Sequence, residues 1–166
     1  MDLIKVEEFI KNKHAGQKRK QGTPYHTHPI SVAKILKNKG FDETYQATGL
    51  THDLLEDTDA TELEILDLAS LEVLKATKLL TKKSGYIMSE YIENISKNPI
   101  AKIVKLVDRI HNLEESLTQD DNFKKKYLKE TYEWFIPLSK GTIFEKDLLT
   151  TIIKIEKSLN TSKFNI

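Results

Sequence analysis

The stretch Thr51-His52-Asp53-Leu54-Leu55-Glu56-Asp57-Thr58 places a histidine and three carboxylates within a few positions of one another. Around them Ala47, Leu50, Leu54 and Leu55 recur at helical spacing, so the polar groups ride on an otherwise apolar helix. Asp42 is placed to cap it. Acids this close repel one another and are costly to desolvate unless something positive lies among them. A bound metal ion is the simplest such partner. If the stretch is helical, His52 and Glu56 share a face and Asp53 lies one turn from Glu56 and Asp57. His52 and Asp53, as neighbours, diverge by about 100° around a helix axis, although two such side chains can meet one ion at a helix edge. Glu56 and Asp57, a turn further on, suit a carboxylate that activates water or shuttles a proton.

Outward from this stretch the chain reads as helix after helix. Leu3, Val6, Phe9 and Ile10 make a first stripe that Gly16 can end, and Pro29 suits the first turn of a helix carrying Ile30, Val32, Ala33, Ile35 and Leu36, with Gly40 as its stop. Thr61-Glu62-Leu63-Glu64 matches a capping box. Further helices are expected at 70–80, at 89–97, from Asn98-Pro99 to about Leu117, at 122–139 and at 142–159, with Pro137 shortening or kinking the penultimate one. No segment sustains two-residue alternation. The expected fold is all-α: a compact single domain over 1–166, a bundle of roughly eight helices with little or no sheet. Its core spans about 3–140, its C-terminal helix about 142–159, and 162–166 forms a frayed tail.

Composition narrows the chemistry. The chain has 166 residues, room for one domain with a real core. Net charge is +1, which argues against a dedicated nucleic-acid binder. The absence of cysteine excludes disulfides, thiolate metal sites and a cysteine nucleophile. A metal site must therefore use His, Asp and Glu, which suits manganese, magnesium, iron or zinc. There is neither a signal-peptide pattern at the N-terminus nor an apolar run of membrane-spanning length, so a cytoplasmic protein without a membrane partner is expected. Oligomeric state is left open.

Two other islands can complete a site. His28, in His26-Thr27-His28-Pro29, sits at a loop-to-helix junction where its ring can enter a cleft. In Asp108-Arg109-Ile110-His111-Asn112, Asp108 and Asn112 lie four apart on one helix face, one able to ligate and the other to donate and accept hydrogen bonds. Each island has a plain reading too. A lone His-Asp pair is usually a surface pair or a cap, and Asp108-Arg109 can be a local ion pair of little weight. His111 reads as a core or supporting histidine, and His14 and His26 as structural. The combination His28, His52-Asp53 and Asp108 is what favours a metal centre.

These residues resemble a family. The order His…His-Asp…Asp is the signature of HD-domain metal-dependent phosphohydrolases. His14–Arg19, Gly22–Pro29, the extended His52-Asp53-Leu54-Leu55-Glu56-Asp57-Thr58, Thr77-Lys78-Leu79 and Lys105–Asn112 resemble the hydrolase branch of the RelA/SpoT alarmone enzymes and the small stand-alone alarmone hydrolases of Mesh type. The resemblance covers about residues 3–140. It implies an HD-type helical fold, metal ligation by His28, His52, Asp53 and Asp108 with Mn2+ as the usual ion, and Glu56 and Asp57 as the water-handling catalytic carboxylates. It also implies that Arg19 packs on a guanine base and that Asn112 lines the nucleotide pocket. Lys20 and Lys83, in basic loops, are candidates for holding phosphates. The implied reaction is removal of pyrophosphate from the 3′ position of guanosine tetra- or pentaphosphate, and the implied partner is that small nucleotide, not a nucleic acid. A hydrolase-only protein is expected, since the synthetase and regulatory domains of the long family members are absent from this stretch. The same centre can serve an adenosine alarmone or NADPH, or a nucleotide sensor that has lost turnover. Two positions depart from the common pattern: Thr51, where an apolar residue is usual, and Ala69-Ser70, where a Phe-Gly pair is frequent.

Overall fold

Capping chemistry sets most of the element boundaries. In the computed structural model, which describes residues 1–161 and side chains through residue 159, Asp2 accepts from the backbone of Ile4 and Lys5 to start α1 (Leu3–Lys13). The helix α2 (Thr27–Asn38) has Pro29 in its first turn, and Gly40 follows it at φ +83°. Asp42 caps α3 (Glu43–Thr51) through the N–H groups of Thr44 and Tyr45. The short α4 (Leu54–Asp57) follows. Thr61 and Glu64 make the reciprocal capping box of α5 (Glu62–Leu68). The Thr61 N–H that Glu64 accepts, with Lys13 beside it, holds the Glu64 carboxyl below the usual range. Ser70 caps α6 (Leu71–Leu80) through the Val73 N–H, which gives this departure from the common pattern a local purpose. Then come α7 (Met88–Ser96) and α8 (Pro99–Ser116). After them the chain forms α9 (Asp121–Glu130), a π-helical turn at Thr131–Phe135, α10 (Ile136–Ser139) and α11 (Glu145–Thr161).

The all-α expectation is borne out. Among the described residues there is no strand, only an isolated bridge between Lys18 and Pro24. The helix count exceeds roughly eight because the four-residue α4 and α10 are separate segments. Near Pro137 the expected kink takes the form of a widened turn: the Ile136 N–H donates to the carbonyl of Thr131, five residues back, immediately before the proline that lacks an N–H. The expected tail at 162–166 lies outside the described residues. No helix among the described residues is long and apolar enough to cross a membrane.

The chain divides into two units with the boundary inside α8, after Lys105. In the first unit α3 packs on α2, α1 and α6, and the core contains Val6, Ile10, Ala47, Leu50, Leu54, Ile65 and Val73. Gly49 allows α3 to approach α2 closely, since a Cβ there would lie 3.3 Å from the Ala33 Cα. In the second unit α11 packs on α9 and α10, and Phe135, Phe144, Leu148 and Ile155 are fully buried. Arg109, on the second unit's part of α8, pairs with Glu130, and its guanidinium carbon lies 4.4 Å and 3.9 Å from the ring centroids of Tyr127 and Phe135. Its ion pair with Glu130 therefore spans α8 and α9.

Thr51 is buried without cost to its hydroxyl: Oγ1 donates to the Ala47 carbonyl and lies 2.8 Å from the Thr77 Oγ1. Thr51→Val strands the Thr77 hydroxyl and is expected to destabilise by about 1–2 kcal/mol. That corresponds to a fall of roughly 2–8 °C in a calorimetric melt. Thr51→Val/Thr77→Val together should recover most of it, because both polar partners are then replaced by apolar groups of the same shape.

Candidate metal centre and substrate site

The helix expected to run through Leu55 stops at Thr51 and restarts at Leu54. The break lies at His52-Asp53, and His52 helps to make it. Its Nδ1 is 2.8 Å from the carbonyl of Gly49, one of the last carbonyls of α3, which the helix itself leaves without a partner. Because a carbonyl only accepts, that nitrogen carries the hydrogen, so in the neutral ring it is Nε2 that has the lone pair. The break also resolves the divergence expected of neighbouring helical residues: His52 Nε2 is 3.3 Å from Asp53 Oδ1. His28, buried in the first turn of α2, brings its Nε2 to 3.9 Å from Asp53 Oδ2, and its ring lies 5.2 Å from that of His52.

Three of the expected residues, His28, His52 and Asp53, are therefore brought together in the first unit. A bare imidazole lone pair facing a carboxylate oxygen repels it, and the contact becomes favourable with a cation between them. Two imidazoles and a carboxylate, with no thiolate, fit a borderline or hard divalent ion.

Asp57 ends α4 and Glu56 precedes it, both exposed. Glu56 Oε2 accepts the backbone N–H of Lys82 at 2.8 Å, which ties it to the loop after α6. A cavity of about 420 Å³ opens beside Glu56, lined also by Thr81, Lys82 and Lys83. The Lys82 ammonium lies 5.1 Å and 5.5 Å from the ring centroids of Tyr86 and Tyr91.

The basic loop after α1 is a tight hairpin: Arg19 N–H donates to the Thr23 carbonyl and Tyr25 N–H to that of Gln17, with Gly22 at φ +89° in the turn. Lys20 is exposed at its tip. The Arg19 guanidinium lies 5.4 Å from the centroid of the Tyr25 ring. In the second unit Asp108 is buried on α8, and the Asn112 amide one turn on donates to its Oδ1. His111 reaches toward Glu115 at 3.9 Å. His14 is buried at the end of α1, and His26 occupies the position before α2.

Tyr25, within the Gly22–Pro29 stretch, has no role that the sequence alone announces. Its hydroxyl lies 2.8 Å from Asp53 Oδ2 and 2.7 Å from Asp57 Oδ2. Burial, reinforced by the two carboxylates, pushes the phenol pKa well up, so the group stays a donor. The available signal was a phenol three residues before His28 in a polar loop.

The model of the HD domain family matches residues 7–141. The chain belongs to the HD domain family. The match crosses the boundary between the two units. This HD domain is 37% identical over 147 residues to a guanosine-3′,5′-bis(diphosphate) 3′-pyrophosphohydrolase of Aquifex aeolicus, covering 83% of this chain and 21% of that protein. It is 36% identical over 154 residues to a GTP pyrophosphokinase of Myxococcus xanthus, covering 84% of this chain and 20% of that one. The chain thus spans about a fifth of the length of these curated relatives. Among solved structures it is similar to a metazoan ortholog of SpoT described as hydrolysing ppGpp and acting in starvation responses. There the TM-score is 0.76 at 25% identity, covering 94% of this chain and 95% of the other. The resemblance to the RelA/SpoT-type branch is borne out. HD domain membership implies a divalent metal ion, and the donor set described above fits one.

Proposed function

We propose that the protein is a phosphohydrolase that removes pyrophosphate from the 3′ position of guanosine tetra- or pentaphosphate. The observation that carries this reading is the convergence of His28 and His52 on Asp53, with the His52 hydrogen held on Nδ1 by Gly49. The reading takes 1–166 as one hydrolase domain and His28, His52, Asp53 and Asp108 as ligands of a manganese ion. Asp108 is supported by its burial, which a carboxylate tolerates best beside a cation, and by its matching position in the family motif. The substrate class is supported by the names of the similar proteins.

The ion supplies Lewis acidity and lowers the pKa of water. The chain's own residues do the rest. Asp57 and Glu56 sit one short helix beyond Asp53, where a carboxylate takes the proton of the attacking water. The Tyr25 hydroxyl and the Lys82 N–H hold these acids in place. Lys83 at the cavity beside Glu56, and Lys20 on the hairpin, offer ammonium groups to phosphates that are not cut. Arg19 offers a planar cation to the base, and Asn112 lines the nucleotide pocket beside Asp108.

The test is a hydrolysis panel of guanosine tetraphosphate, its adenosine analogue and NADPH, with Mn2+ and with chelator. Mn2+-dependent release of pyrophosphate from guanosine tetraphosphate is expected, and no turnover of any substrate with Mn2+ sinks the reading. Asp57→Asn should lower kcat by about 10²-fold. Calorimetric titration should find its metal affinity within a few-fold of wild type, because Asp57 handles water and does not ligate.

A further inference from the structure

We propose that Tyr25 is a positioning residue whose single hydroxyl sets Asp53 and Asp57 together, so that occupation of the metal centre orients the carboxylate that handles water. The inference rests on the reading of His28, His52 and Asp53 as metal ligands.

Asp53 and Asp57 are four residues apart at the two ends of α4, a spacing at which like charges repel. The Tyr25 oxygen lies between them, 2.8 Å from one carboxylate and 2.7 Å from the other. A phenol has one hydrogen, so it satisfies one carboxylate at a time and presents a lone pair to the other. With Asp53 engaged on a cation, its oxygens are poorer acceptors and the hydrogen is given to Asp57. That bond fixes the Asp57 carboxylate and leaves its second oxygen to face water. Before a cation binds, the hydrogen can go to Asp53 Oδ2 instead, which favours the rotamer in which Asp53 Oδ1 stays at 3.3 Å from His52 Nε2 and so prepares that carboxylate for the ion. Groups that orient ligands from behind in this way tune both affinity and reactivity at metal centres.

The ring is held by contacts that do not involve its hydroxyl. His14, 1% exposed, stacks on it with centroids 4.7 Å apart and planes 21° from parallel. Gln17 accepts the Tyr25 N–H on its carbonyl, and its side chain donates to the Asp57 carbonyl at 2.7 Å. The amide NH₂ must face that carbonyl, so Gln17 Oε1 faces His14 Nδ1 at 2.8 Å and places the imidazole hydrogen there. One loop thus grips the phenol ring and the Asp57 backbone at once. Nothing in this grip is used by the mechanism above, and each of its bonds shortens the list of ways Tyr25 and Asp57 can move apart.

Tyr25→Phe keeps the ring and removes only the hydroxyl. Manganese titration of the metal-free protein by calorimetry should find the affinity of Tyr25→Phe weakened about tenfold. With guanosine tetraphosphate, kcat should fall by about 10–100-fold while KM stays within twofold. A merely structural residue would lower the melting temperature without this split between kcat and KM. Metal affinity and kcat both within twofold of wild type would overturn the proposal. If Tyr25→Phe does not fold, fluorotyrosine in the wild-type chain carries the test. A tyrosine ¹⁹F resonance should move on zinc titration in wild type and not in His52→Ala, and no movement in wild type overturns the coupling. A wild-type protein that binds metal but does not cut guanosine tetraphosphate refutes the substrate and leaves Tyr25 to be decided by the metal titration.

Discussion

Replacing His52 with alanine is expected to lower kcat on guanosine tetraphosphate by about 10³-fold, because a Lewis-acidic ion contributes several kcal/mol of transition-state stabilisation and each 1.4 kcal/mol is tenfold in rate. The same substitution should remove tight manganese binding by the metal-free protein. The cause is local. His52 is 2% exposed, its Nδ1 is committed to the Gly49 carbonyl, and its Nε2 faces Asp53 at 3.3 Å. Alanine removes the lone pair that would share a cation with Asp53 and leaves His28 as the remaining imidazole beside that carboxylate. Melting curves separate this from a folding defect. Wild type should gain thermal stability with added manganese through ligand linkage, and His52→Ala should not. Turnover within tenfold of wild type, with an unchanged response to manganese, would show that His52 does not ligate. The pairing with Asp57→Asn is informative: one variant loses metal and rate, the other rate alone.

What the sequence made legible is what local chemistry decides. Asp42, and Thr61 with Glu64, cap the helices they precede because a side-chain oxygen two or three residues before an orphan N–H has little choice of partner. Gly16 and Gly40 follow helices because positive φ suits glycine. The metal-binding candidates were legible as residue types in a pattern.

The geometry between them was not. The break at His52-Asp53 depends on a ring reaching back to a carbonyl, in a stretch whose apolar spacing continues unbroken as helix. The Tyr25 bridge joins residues 28 and 32 positions apart, and the Arg109–Glu130 pair joins residues 21 apart. The fold creates such contacts, and no periodicity announces them. The π-turn before Pro137 lies between these cases: the proline predicted a disturbance, but not that the ladder would widen over Thr131–Phe135, ahead of it.

Gly49→Val is expected to destabilise the protein by about 3 kcal/mol, at the severe end of overpacking, and to lower its melting temperature by roughly 6–12 °C. Two effects of opposite sign meet at this position. Glycine inside a helix is ordinarily worse than alanine by about 0.5–1 kcal/mol, so a side chain there would stabilise if space allowed. Space does not allow it. A Cβ on Gly49 would lie 2.9 Å from Leu36 Cδ1 and 3.3 Å from both the Cα and the N of Ala33. Leu36 is fully buried and can yield only by disturbing its neighbours, and the Ala33 atoms are the backbone of α2, so the two helices must separate. Gly49→Ala should therefore cost less, about 1–2 kcal/mol after its propensity gain, and valine more, since its two γ-methyls enter the same contact. The displacement has a chemical readout too. The Gly49 carbonyl holds His52 Nδ1, and Ala33 lies in the same helix as His28. Pushing α3 from α2 should move the two imidazoles relative to each other, and manganese affinity should fall from wild type to alanine to valine in step with the melting temperature. A Gly49→Ala protein more stable than wild type, with its metal affinity intact, would show that the α2–α3 contact can relax and that the approach of these helices does not set the centre.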